Sequence, residues 1–184
     1  LLAKQDASGR WGGGLYTPKW TSTTYTLLLL RSMGLDPANE QARRGCRLLI
    51  ERGRYFDGGI NFMRSYGNAE TCLTGMALAL AAYFRVPDPR VEGLVAYLLR
   101  EQMPDGGWNC QAWRGATHGS FHTTIAVLEA LREYEQWCPA AASAVRRAQQ
   151  GGREFLLIHR LFRSHRTGAV VKARVKRTPS PASR

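Results

Sequence analysis

Two segments of this chain carry the same punctuation 48 residues apart. One reads Gly45-x3-Leu49-Ile50-x3-Arg54-x2-Asp57-Gly58-Gly59-Ile60-Asn61. The other reads Gly93-x3-Tyr97-Leu98-x3-Gln102-x2-Asp105-Gly106-Gly107-Trp108-Asn109, and the two align without a gap. A third copy starts at Gly151-x3-Phe155-Leu156-x3-Arg160, but Arg163-Ser164-His165 stands where Asp-Gly-Gly would fall. The looser Gln5-x3-Gly9-x-Trp11 places the start of the chain inside a further copy. A period of this length belongs to architectures in which one supersecondary unit stacks on the next, because a single unit cannot bury its own apolar face.

Each unit reads as two helices. Between 89 and 102, Val91, Leu94, Val95, Leu98 and Leu99 form one apolar stripe, with Glu92, Arg100 and Glu101 opposite, the pattern of a helix covered on one side. The stretch 70–84 (Leu73, Met76, Ala77, Leu78, Ala79, Leu80, Ala81) is apolar almost all round, which predicts cover on both sides. Inner helices are therefore expected over 21–33, 70–84 and 120–136, and outer ones over 38–52, 89–102 and 140–162. Gly34-Leu35-Asp36-Pro37, Val86-Pro87-Asp88-Pro89 and Cys138-Pro139 supply the breaks. No run alternates with period two for long enough to make a sheet, so the expected class is all-α.

The Gly-x3-aromatic-Leu-x3-Gln-x3-Gly-x-Trp pattern, carried by Gly93, Tyr97, Leu98, Gln102, Gly106 and Trp108, resembles the repeat of terpenoid cyclases of the squalene-hopene type and of protein prenyltransferase β subunits. The resemblance covers 1–168 and implies an α/α toroid, an inner ring of helices inside an outer ring, with repeats near 1–54, 55–102 and 103–163. About three hairpins make a partial toroid, so the chain reads as a fragment of a squalene-cyclase-like protein. A central cavity for an apolar isoprenoid or lipid ligand is also implied. The motif residues themselves (Gln5, Gly9, Trp11; Asp57, Gly58, Gly59; Gln102, Asp105, Gly106, Gly107, Trp108) read as structural. The Gly-Gly ends the outer helix in a left-handed turn, the Gln bonds backbone near the next helix, the Asp closes an Asx turn, and the Trp covers the loop.

Of the formal net charge of +12, residues 1–162 carry +5 and the last 22 carry +7, with no acidic residue after Glu154. The basic run from Lys172 lacks interleaved aromatics and apolar periodicity, so 169–184 reads as a disordered or out-of-frame tail, and no nucleic-acid partner is expected. Cys46, Cys72, Cys110 and Cys138 show no close pairing, and no signal peptide or long apolar run is present. These features point to a cytoplasmic protein, with peripheral membrane contact compatible.

Chemistry is expected where inner helices begin. Aligning their starts gives three pairs, Thr23-Thr24, Glu70-Thr71 and His122-Thr123, in which the second member is always Thr and the first differs. The repeated Thr fits a capping hydroxyl; the variable member faces one end of the cavity. Glu70, Cys72 and His122 together offer a carboxylate, a thiolate and an imidazole, a set zinc accepts with a fourth position open. Prenyltransferase β subunits carry a zinc site of similar plan, with Asp where this chain has Glu70. Cys72 equally suits a small buried hydrophobe, and His122, with His118 nearby, a polar loop group. The chain has no Asp-x-Asp-Asp, the proton-donor motif of class II terpenoid cyclases, and Glu70 is the one acid expected in the cavity. Tyr16, Trp20, Phe62, Tyr66 and Trp113, all in loops before inner helices, are expected to line an apolar pocket able to stabilise developing positive charge. A non-catalytic toroid that binds a lipid or peptide, and a helical interaction scaffold, are the alternatives.

Overall fold

The computed structural model describes residues 1–63 and 67–171. It contains six α-helices and, among the described residues, no strand beyond isolated bridges. They are α1 (Thr23–Ser32), α2 (Glu40–Gly53), α3 (Thr71–Tyr83), α4 (Arg90–Arg100), α5 (Phe121–Trp137) and α6 (Ala142–Ile158). The all-α class and the positions of all six helices match the expectation from periodicity. None of these helices is long and apolar enough to cross a membrane.

The helices form two layers. α1, α3 and α5 lie side by side, while α2 packs on α1 and α3, α4 on α3 and α6, and α6 on α5. α3, in the middle, buries Leu73, Ala77, Leu78, Ala79, Leu80, Ala81 and Ala82, which is why its sequence shows no polar face. Gly75 sets the α3–α5 distance, since a Cβ there would lie 3.1 Å from the Ala126 carbonyl oxygen. The small side chain lets two backbones approach as a larger one would not.

Caps and stops follow local chemistry. Asn39 Oδ1 accepts the Ala42 N–H at 3.0 Å at the start of α2, and Ser120 Oγ accepts the Thr123 N–H at 3.2 Å at the start of α5. α1 ends on left-handed Gly34, with Leu35 N–H donating to the Leu30 carbonyl, a Schellman-type closure. α3 ends the same way through Val86 N–H and the Ala81 carbonyl, with Arg85 at φ +50 where α1 uses glycine.

The repeated motif joins the layers with the same bonds wherever the same residue recurs. Gln5 Nε2 donates to the Gly9 and Gln41 carbonyls, and Gln102 Nε2 to those of Gly106 and Ala148; in both cases the amide ties its own turn to the next outer helix. Asp57 accepts the N–H groups of Gly59 and Ala69, and Asp105 those of Gly107 and Gly119. Each carboxylate thus holds both ends of a loop. Trp11 and Trp108 are buried, and their indole N–H groups donate to the carbonyls of Leu1 and Leu98. The structural reading of these residues is what the structure displays.

Beyond α6 the chain turns back: Ser164 N–H donates to the Ala169 carbonyl and Val171 N–H to that of Phe162. The expected tail from 169 therefore begins inside a closed turn. Its remainder, 172–184, lies outside the described residues.

Candidate functional site

The outer helices cover one face of the α1–α3–α5 row; the opposite face is open. Its residues recur at helical spacing: Tyr25, Leu28, Leu29 and Ser32 on α1, Cys72, Met76 and Tyr83 on α3, and His122, Ile125, Glu129 and Glu133 on α5. None of these is fully buried, although most other residues of the three helices are. Leu29 is 47% exposed and Ile125 51%, apolar side chains left uncovered on this face, and Arg132 and Gln136 of α5 are exposed as well.

One end of this face is polar and tied shut. Arg31 Nη2 lies 2.9 Å from both Glu129 Oε1 and Glu133 Oε1, so α1 reaches α5 across the end of α3. Its guanidinium also sits 5.8 Å from the ring centre of Tyr83, whose hydroxyl donates to the Leu35 carbonyl. Leu28, Arg31, Ser32, Tyr83, Glu129 and Glu133 line a hollow of about 390 Å3. The expectation that Glu70 is the one acid facing the cavity is corrected: Glu129 and Glu133, four residues apart and so on one side of α5, share this face and are held by Arg31.

The other end is aromatic. Tyr16 stacks between Tyr25, at 5.5 Å, and Phe62, at 6.1 Å, and Trp20 leans on Tyr25 at 5.1 Å. Burial is the main cause that pushes the Tyr16 hydroxyl above its ordinary pKa. A second hollow, of about 300 Å3, runs beside Tyr16 and Phe62 and is lined also by Arg10, Leu15, Thr17 and Met63. Of the expected aromatic lining, Tyr16, Trp20 and Phe62 do come together, with Tyr25 as a fourth member read only as part of a helix. Trp20 is 78% exposed and forms the rim. Trp113 is also exposed and carries the Arg114 guanidinium 4.4 Å from its ring centre. Tyr66 lies outside the described residues.

The proposed alignment of helix starts needs correction. The main-chain N–H groups of Trp11, Ile60 and Trp108 donate to Thr23 Oγ1, Thr74 Oγ1 and Thr124 Oγ1 respectively. The recurring hydroxyl therefore belongs to Thr23, Thr74 and Thr124, and in place of capping a helix it fastens the motif to the helix. The pairs built on Thr24, Thr71 and Thr123 are out of register: Thr71 and Thr123 are 52 apart, whereas the loop after the third motif is only two residues longer than the one after the second, which sets Thr74 and Thr124 50 apart. Asn61 and Asn109 brace these loops through the Asn68 and His118 carbonyls, so the offset is 48 before the loop and 50 after it. Glu70 is then the counterpart of Ser120, and Cys72 that of His122.

The structure does not gather the expected zinc ligands into one group. His122 is exposed on α5, and among the described residues no group of three or more His, Cys, Asp or Glu side chains is placed to hold a metal ion. Glu70, Cys72 and His122 do not fit zinc as arranged. Glu70 is the N-cap residue of α3 without a side-chain capping bond, and burial raises its carboxyl pKa, with Lys19 opposing the shift.

Cys72 instead meets Cys110, a residue the repeat comparison passes over. The Cys72 N–H, in the first turn of α3, donates to Cys110 Sγ at 3.2 Å, and Thr123 Oγ1 lies 3.3 Å from the same sulfur. Hydrogen bonding with Cys72 pulls the Cys110 pKa down to about 7, and the same interaction together with burial raises that of Cys72. Free N–H groups at a helix start stabilise an anion in this way.

No protein-family model matches the chain, and neither does any curated protein. A solved structure described as the crystal structure of a protein from Actinoplanes is similar at 21% identity and a TM-score of 0.42, over 86% of this chain and 62% of that one. The chain thus spans less than two thirds of the length of the solved structure it matches.

Proposed function

We propose that this chain is an arc of an α/α toroid of the terpenoid cyclase and prenyltransferase kind, and that the open face of α1, α3 and α5 holds an apolar, isoprenoid-type ligand. The observation that carries this reading is the apolar stripe of Leu28, Leu29, Met76 and Ile125 on the face that the outer helices leave open, bounded by the Tyr16–Tyr25–Phe62 stack at one end and the Arg31–Glu129–Glu133 seal at the other. A linear hydrocarbon fits such a strip, and aromatic faces at its end suit a polarised or cationic head. The face supplies surface and orientation. Its two acids are paired with arginine, which favours ligand holding over proton donation.

Farnesol titrated into the chain, followed by tryptophan fluorescence, is the test. Wild-type protein is expected to bind saturably, and Ile125→Asp to weaken binding at least about tenfold, the effect of roughly 1.4 kcal/mol. Because Ile125 is exposed, the substitution spares the core. Equal binding by Ile125→Asp, or no saturable binding by wild type, contradicts the proposal.

A further inference from the structure

We propose that Cys72 and Cys110 form a dithiol that closes to a disulfide, with Cys110 as the attacking sulfur and low-molecular-weight disulfides of the glutathione class as its oxidants. The inference is independent of any ligand on the open face. It rests first on placement: the two cysteines come from different elements, the start of α3 and the loop before α5, yet the Cys72 N–H donates to Cys110 Sγ at 3.2 Å. Both are partly exposed, whereas Cys46 is buried. It rests second on the surroundings of Cys110 Sγ, which accepts the Cys72 N–H and lies 3.3 Å from the Thr123 hydroxyl oxygen, a contact in which either atom can donate. Glu70 is the nearby charge that opposes a thiolate there.

The exchange balances in two steps. The Cys110 thiolate attacks one sulfur of the oxidant, forming a mixed disulfide and releasing one thiolate, which takes up a proton. Cys72, giving its proton to solvent, then attacks Cys110 Sγ and expels the second thiolate. One oxidant becomes two thiols, and the protein loses two hydrogens. The product ties the loop before α5 to the first turn of α3, across 38 residues of sequence.

Hydrogen bonding from Cys72 holds the Cys110 thiol below its ordinary pKa, so more of it is thiolate near neutral pH than of an ordinary cysteine, and faster attack than by an ordinary exposed thiol is expected.

The test incubates the full chain with glutathione disulfide at pH 7 and maps the products by peptide mass spectrometry. Wild-type protein is expected to yield a Cys72–Cys110 disulfide, two glutathione thiols per chain, and unmodified Cys46. Cys72→Ser is expected to stop with one glutathione on Cys110. Mapping of the wild-type protein decides the question even where a variant folds poorly. First attack at Cys138 or Cys46, or a mixed disulfide on Cys110 that persists in the wild type, overturns the proposal.

Discussion

Replacing Trp108 by alanine is expected to destabilise the fold by about 3–5 kcal/mol, the range for removing a large buried aromatic. The indole has no solvent exposure and lies over α6, where a Cβ on Gly152 would approach within 2.8 Å of its ring. Its loss leaves a void that helix backbones cannot collapse to fill. It also leaves the Leu98 carbonyl without the donor it has at 2.7 Å, an added cost of about 1–3 kcal/mol where water does not reach. Trp108→Phe, which keeps most of the volume but not the N–H, should fall well below the alanine value. Urea denaturation followed by far-ultraviolet circular dichroism measures both. An alanine variant within about 1 kcal/mol of wild type would mean that the motif does not fasten the layers.

Gly106→Ala is expected to cost about 2–5 kcal/mol, and Gly58→Ala, at the equivalent place one repeat earlier, only about 1–2. Both glycines have left-handed backbones, at φ +84 and φ +95, and a Cβ there costs roughly 1–2 kcal/mol. The sites differ in what that Cβ meets. At Gly106 it would lie 2.5 Å from the Gly151 carbonyl oxygen, so two backbones must separate; at Gly58 the nearest atom, the Gly93 carbonyl oxygen, is at an ordinary 3.6 Å. Overpacking of the first kind adds about 1–3 kcal/mol. Chemical denaturation of the two variants side by side gives the difference directly, and equal costs would show that conformation alone selects glycine.

The repeats also complement each other in volume. Trp11 lies over Gly45, where a Cβ would come within 2.9 Å of its ring, and Trp108 lies over Gly152. Gly58 and Gly106 face Gly93 and Gly151, so the counterpart of Gly152 in the middle repeat is Leu94. There the motif carries Ile60 in place of tryptophan: a smaller lid faces a larger floor. Close-packed interiors demand this kind of exchange. It also shifts by one the sequence alignment of Gly45 with Gly93 and Gly151, since Gly45 serves as Gly152 does.

The six helices were legible because amphipathic stripes, proline breaks and a recurring turn all point the same way. So was the role of the motif, because each of its residue types has one obvious bond to make. The site was less legible. Matching Thr71 with Thr123 by residue type alone shifts the third helix start by 52 where the fastened threonines Thr74 and Thr124 are 50 apart, and that slip paired Glu70 with His122 in place of Ser120. Arg31 sits at the end of an apolar run, and its partners on α5 are about a hundred residues away, so no local pattern marks the seal. Cys110 belongs to a loop whose course is set by Asn109 and Asp105, and only the folded loop brings its sulfur to α3. The glutamates on α5 did carry a signal, their spacing of four, which a search for Asp-x-Asp-Asp does not detect.

Methyl-labelled protein offers the most direct test of the open face as a ligand surface. The chain has four isoleucines and four methionines, and Ile125 and Met76 report from the proposed strip while Ile158 and Met103 lie away from it. On addition of farnesol, the Ile125 and Met76 methyl resonances are expected to shift saturably with one shared midpoint, and those of Ile158 and Met103 to stay within line width. Shifts concentrated at Ile158, or none at Ile125 and Met76 up to the solubility limit of the alcohol, would contradict the assignment of this face to an isoprenoid ligand.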